Sequence, residues 1–73
     1  MARHVITSEI TGTVFKIEAS VGAAVSAGDV LIVLESMKME IPVEAPASGK
    51  LVEILVAEGD TISEGQALAT VEG

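Results

Sequence analysis

Along this chain the apolar residues fall mostly at strand spacing. The stretches Thr13 to Glu18 and Lys50 to Val56 show the near alternation of a half-buried strand, while Val30-Leu31-Ile32-Val33-Leu34 is the unbroken run of a buried one. Helical periodicity is weak throughout. The pattern predicts strands at about residues 3 to 9, 12 to 18, 23 to 25, 30 to 36, 39 to 45, 49 to 56, 60 to 62 and 67 to 72. Eight short strands in so short a chain make an all-β fold, a flattened sandwich or barrel.

The chain is also written twice. Shifted by 37 residues, positions 12 to 35 align with positions 49 to 72 without a gap, and seven of the 24 pairs are identical. They are Gly12 with Gly49, Ile17 with Ile54, Gly22 with Gly59, Ser26 with Ser63, Gly28 with Gly65, Leu31 with Leu68 and Glu35 with Glu72. Composition alone would give about two. Val14 with Leu51, Val25 with Ile62 and Val33 with Thr70 keep apolar or β-branched character. Two like halves predict a pseudo-twofold object, each half a strand, a Gly turn, a very short strand, a second Gly turn and another strand. No helix is expected after any of these glycines, so they punctuate and do not cradle phosphate.

Between the halves lies Glu35-Ser36-Met37-Lys38-Met39-Glu40. A methionine ordinarily fills gaps in a core and a lysine is ordinarily a solvated charge. Here the buried strand before it and the extended Ile41-Pro42-Val43 after it put Met37-Lys38-Met39 where the chain reverses. The tip has no Gly, Asn, Asp or Pro to supply turn dihedrals, so something other than turn chemistry selects these residues. Two thioethers form a soft apolar collar round one amine, with a carboxylate on each side. By the repeat offset Lys38 corresponds to residue 1, so the lysine is expected at one end of the molecule and both termini at the other.

Composition narrows the functions available. Seventy-three residues make one small domain, 1–73, with a single core of Val, Ile, Leu and Ala, since Phe15 is the one aromatic residue. Without aromatic stacking platforms, and with eleven acids against four bases for a net charge of −7, no nucleic acid or anionic membrane is an expected partner. There is no cysteine for a disulfide, a thiolate metal site or a nucleophile. Neither a signal peptide nor a membrane span is apparent, and a cytoplasmic monomer is expected. His4 stands apart from any Ser/His/Asp or metal cluster, so neither a catalytic nor a metal site is expected. Asp29, Asp60 and Glu64 have the positions of solvated turn residues.

These residues resemble the biotinyl domains of biotin-dependent carboxylases and the related lipoyl domains. Met37-Lys38-Met39 looks like that family's attachment motif, Ala45-Pro46-Ala47-Ser48-Gly49 like its post-hairpin segment, and Glu58-Gly59-Asp60 with Gly65 like its second-half turns. The resemblance implies a hammerhead, a flattened barrel-sandwich hybrid of two four-stranded sheets, with Lys38 at an exposed hairpin tip. It further implies biotin amide-linked to Lys38 by a biotin protein ligase. The group would carry carboxyl between biotin carboxylase and carboxyltransferase sites, and the domain itself would be no enzyme. Met37 and Met39 would serve ligase recognition; Glu35, Ser36 and Glu40 would flank the site.

Two departures stand out: Ser8-Glu9-Ile10-Thr11 precedes Gly12 where many relatives have an Ala-Pro-Met-Pro-like stretch, and Ser36 takes a place often held by Ala. Only Ala19-Ser20-Val21 precede Gly22, which resembles carriers without a protruding thumb. With no Pro/Ala-rich linker upstream, the chain has the form of a stand-alone carrier, although a domain cut from a larger carboxylase would look the same. The nearest rival is a lipoyl carrier, whose lysine is typically set in Asp-Lys-Ala, and a domain accepting both biotin and lipoate is a further reading. A rival of another class is an unmodified hybrid-barrel adaptor in which Lys38 is an ordinary tip residue.

Overall fold

The computed structural model describes residues 2–73; residue 1, the position that corresponds to Lys38, lies outside the described residues. Eight strands follow in order: β1 Arg3–Thr7, β2 Gly12–Ile17, β3 Ala24–Val25, β4 Val30–Ser36, β5 Met39–Glu44, β6 Gly49–Ile54, β7 Thr61–Ile62 and β8 Ala67–Glu72. They form two antiparallel four-stranded sheets, in the orders β1-β8-β6-β3 and β5-β4-β2-β7. Every expected strand is present, with ends shorter by up to two residues.

Shifting the first half by 37 residues converts one sheet into the other, and each sheet takes two strands from each half. The irregularities repeat as well. Phe15 is left without a partner where β2 meets β4, and so is Val52 where β6 meets β8. Leu31 is bypassed between β4 and β5, and Leu68 between β1 and β8. A bulge bends a strand and re-aims its side chains, so these four curve the flat sheets enough to close on one core. Here the simple alternation of the sequence fails after Phe15. Val14 is buried and Phe15 faces outward, 49% exposed, which leaves the core without an aromatic ring, and the bulge lets the next residue, Lys16, be exposed as well.

The core is a single cluster centred on Val14, Leu31, Ile32, Leu34, Leu51, Ile62, Leu68 and Val71, drawn from both sheets and both halves. Val30, expected within the buried run, is exposed because it lies at the outer start of β4. Truncating a fully buried Leu51 or Ile62 to Ala removes about 2–5 kcal/mol, a large part of the roughly 5–15 kcal/mol that holds a domain folded.

The loops are fastened in symmetric pairs. The Gly22 N–H donates to the Leu51 carbonyl at 2.7 Å and the Gly59 N–H to that of Val14 at 2.8 Å. Likewise Gly28 donates to Ala45 at 2.9 Å and Gly65 to Ser8 at 2.7 Å. All four glycines have φ near +90°, a conformation costly to any residue with a Cβ, which is why glycine recurs at this spacing. Asp29 and Asp60 do more than face solvent: Asp29 Oδ2 accepts from the Ser26 N–H and Asp60 Oδ2 from the Ala57 N–H, each at 2.9 Å. His4 is a half-buried residue of β1 in register with Val71.

Candidate functional site: the Met37–Lys38 hairpin tip

β4 and β5 run antiparallel to a two-residue tip. Ser36 pairs with Met39, Glu35 with Glu40 and Leu34 with Ile41, so the reversal is made by Met37 and Lys38 alone. Both have left-handed backbones, with φ of 53° and 66°. That is the signature of a type I′ turn, whose twist matches that of the flanking strands and which normally takes Asn-Gly. Each non-glycine residue in this region costs on the order of 1–2 kcal/mol. The tip therefore holds Met and Lys against local preference, supported by the ladder beneath it. Met39, the last residue of the Met-Lys-Met motif, is the first residue of β5, where the expected strand from residue 39 begins.

The motif residues come together as expected. Met37 is 93% and Met39 64% exposed, and Lys38, Glu35 and Glu40 are exposed as well, with Ser36 half-buried. Exposed thioethers flank an exposed amine, an arrangement a partner can grip by its apolar sides. The glutamates do not pin the amine; among the described residues the one ion pair is Lys16–Glu18, at 3.5 Å on the surface. Because facing residues share a side and successive pairs alternate, the hairpin has two chemically distinct faces. Ser36 and Met39 share the inner face with Leu34 and Ile41, and Glu35 and Glu40 form an acidic outer face.

The tip stands far from the chain ends. Ala2 and Gly73 exchange two backbone hydrogen bonds, Ala2 N–H to Gly73 O at 2.7 Å and Gly73 N–H to Ala2 O at 2.9 Å. Moved by 37 residues this pair becomes Met39 and Ser36, so the chain ends occupy the place that the lysine tip occupies at the opposite end. β1 climbs from there to Ile6 and Thr7, which border one groove with Leu34 and Ile41, and β4 and β5 continue beyond it to the tip. The molecule measures 36 × 19 × 18 Å.

Sequence reasoning missed one support of this site. Gly12 opens β2 directly against β4, where an added Cβ would lie 2.5 Å from the Glu35 carbonyl oxygen. Its identity with Gly49 is the signal that could have shown it, since Gly49 meets the Glu72 carbonyl in the same way. A second feature missed, one that works against the tip, is the direct opposition of Glu35 and Glu40, which follows from counting outward from a two-residue turn.

A rigid two-sheet β-domain that holds one lysine amine clear of its own surface, with its termini at the far end, has the form of a carrier domain. The chain belongs to the family described as "Biotin-requiring enzyme", the biotin/lipoyl type, whose profile matches residues 4–71. It is 41% identical over 66 residues to the biotinylated protein TB7.3 homolog of Mycobacterium leprae, an alignment covering 90% of this chain and 93% of that protein. It is 38% identical over 69 residues to the urea amidolyase of Saccharomyces cerevisiae, covering 94% of this chain but only 4% of that much longer enzyme. The crystal structure of Kluyveromyces lactis urea carboxylase contains the same fold, with a TM-score of 0.93 at 39% identity over 99% of this chain and 6% of that one. The fold is thus the hammerhead of biotin carrier domains, and the chain is a domain of that class.

Proposed function

We propose that Lys38 is the residue to which a biotin protein ligase joins biotin, and that the loaded domain moves carboxyl groups between a biotin carboxylase site and a carboxyltransferase site. The observation that carries this reading is the exposed amine of Lys38 at a two-residue tip between two exposed methionines, in a chain of the biotin-requiring family. The amine fits the group: it is a primary nucleophile, open to a ligase from the end of the molecule, and amide formation removes a charge that would oppose entry into an apolar pocket. Met37 and Met39 give the ligase its apolar grip, and Glu35, Ser36 and Glu40 border the same surface.

When bound, biotin supplies a ring that accepts and gives up a carboxyl group; the domain supplies reach. Tethering replaces a diffusing cofactor by a high effective concentration at each partner site. The domain works as a monomeric carrier, without catalytic chemistry of its own, and the acyl or other acceptor is set by its partners. No helix among the described residues is long and apolar enough to cross a membrane, and we place the carrier in the cytoplasm.

The test is intact mass with fragment mapping after expression alongside a biotin ligase. A biotinyl increment on Lys38, absent from Lys38→Arg and from Lys16 and Lys50, supports the carrier. A lipoyl group on Lys38 would move the protein to lipoate chemistry. An unmodified Lys38 under both ligases would leave an adaptor module.

A further inference from the structure

We propose that the groove beside the tip, between the ends of β1 and β5, is a resting site for the biotinyl arm of Lys38. The inference rests on the reading of Lys38 given above. The groove, of about 350 Å³, is walled by Ile6, Ile10, Leu34, Ile41 and Val43, with Glu9 and Glu44 among its polar lining. That volume is within the range of small-molecule sites.

Three observations point to the arm as its occupant. The first is position. Leu34 and Ile41 share the inner face of the hairpin with Ser36 and Met39, so the exposed Met39 side chain extends the apolar lining toward the tip. Ile41 is three residues from Lys38, about 10 Å along a strand, which an extended lysyl-valeryl arm can span. The opposite face offers Glu35 and Glu40, a poor surface for an apolar ring.

The second is chemistry. A biotinyl group joins an apolar thioether ring to a ureido unit that has two N–H donors and one acceptor. The groove offers an aliphatic wall for the ring and two exposed carboxylates, Glu9 and Glu44, able to accept from those N–H groups. The linked arm carries no charge, so it enters without desolvating one.

The third is the way one wall is held. Glu9 and Ile10, within the stretch Ser8-Glu9-Ile10-Thr11, supply that wall. Ser8 is buried; its hydroxyl donates to the Ile10 carbonyl at 2.6 Å and accepts from the Ile10 N–H at 3.2 Å. This local clasp fixes Ile10 in place over the groove. Shifted by 37 residues, Ser8, Glu9 and Ile10 become Ala45, Pro46 and Ala47. The matching place at the far end thus lacks the hydroxyl clasp, the carboxylate and the large aliphatic side chain. The groove is developed at the end that carries the lysine.

The experiment is heteronuclear NMR on isotopically labelled protein, biotinylated by the ligase and compared with the unmodified protein and with Ile10→Asp. Incorporation is verified first by mass. The expected result is shift changes at Ile6, Ile10, Ile41 and Val43 on biotinylation, with nuclear Overhauser contacts from ring protons to Ile10 and Ile41, lost in Ile10→Asp. An arm docked half of the time should also slow avidin capture about twofold relative to Ile10→Asp. Full incorporation with changes confined to residues 36–40 overturns the groove and leaves the carrier standing. Failure to incorporate biotin at Lys38 overturns both. If Ile10→Asp does not fold, the ring contacts in the unsubstituted protein decide alone.

Discussion

Glu35 and Glu40 stand directly opposite each other across the β4–β5 hairpin, both exposed and both on the face turned away from the core. Like charges in this relationship are destabilising, by a few tenths to about 1 kcal/mol. Glu40→Gln should therefore raise stability by about that amount in urea unfolding at low salt. The gain should shrink in about 1 M salt, where screening acts over roughly 3 Å. An unchanged midpoint at low salt would show that solvent already screens the pair.

The left-handed backbone at Met37 predicts a conflict between stability and recognition. Asn tolerates this conformation better than Met, so Met37→Asn should recover about 1 kcal/mol, or roughly 4–8 °C in a domain of this size. The same change removes one of the two thioethers beside Lys38, so biotin incorporation by the ligase should slow. A thermal melt and a timed incorporation assay on one preparation test both; a variant that melts lower would sink the strain argument.

Gly12 lets β2 approach β4 closely beneath the tip. Gly12→Ala puts a methyl group against the Glu35 carbonyl, backbone that cannot swing aside, and should cost about 1–3 kcal/mol. Gly49→Ala should cost a similar amount at the far end, where the Glu72 carbonyl is the obstacle. Only the first should shift the amide resonances of Ser36 to Met39. Equal perturbation of the tip by both would contradict the separation of the two ends.

Each sheet takes two strands from each half of the chain, so neither half can complete a sheet alone. Peptides of residues 1–37 and 38–73 should each be unfolded by circular dichroism, and β-structure should appear on mixing. A folded isolated half would refute the interleaving.

How far each feature could be read in advance depends on whether its cause is local. The alternation of Lys50 to Val56, the apolar run from Leu31 to Leu34 and the glycines at positions 22, 28, 59 and 65 marked strands and turns, because face and dihedral preferences act within a few residues. The 37-residue repeat announced two equivalent halves, and Met37-Lys38-Met39 marked the hairpin tip as the candidate site because its residue types contradict ordinary turn chemistry.

Other features depended on contacts that no local pattern encodes. The bulge at Phe15, which leaves both Phe15 and Lys16 exposed, exists because β2 must curve against β4, and its twin at Val52 because β6 must curve against β8. The exchange of strands between halves is decided by which pairing buries Leu51, Ile62 and Val71 in the same core as Val14 and Leu34. The two faces of the hairpin follow from the register that sets Glu35 against Glu40 and Ser36 against Met39. The sequence by itself determined that this protein is a twice-repeated β-domain offering a lysine. Tertiary packing decided how the strained tip is held, which way its faces look and what groove lies beside it, because backbone strain and sidedness are fixed by distant strands closing on one core.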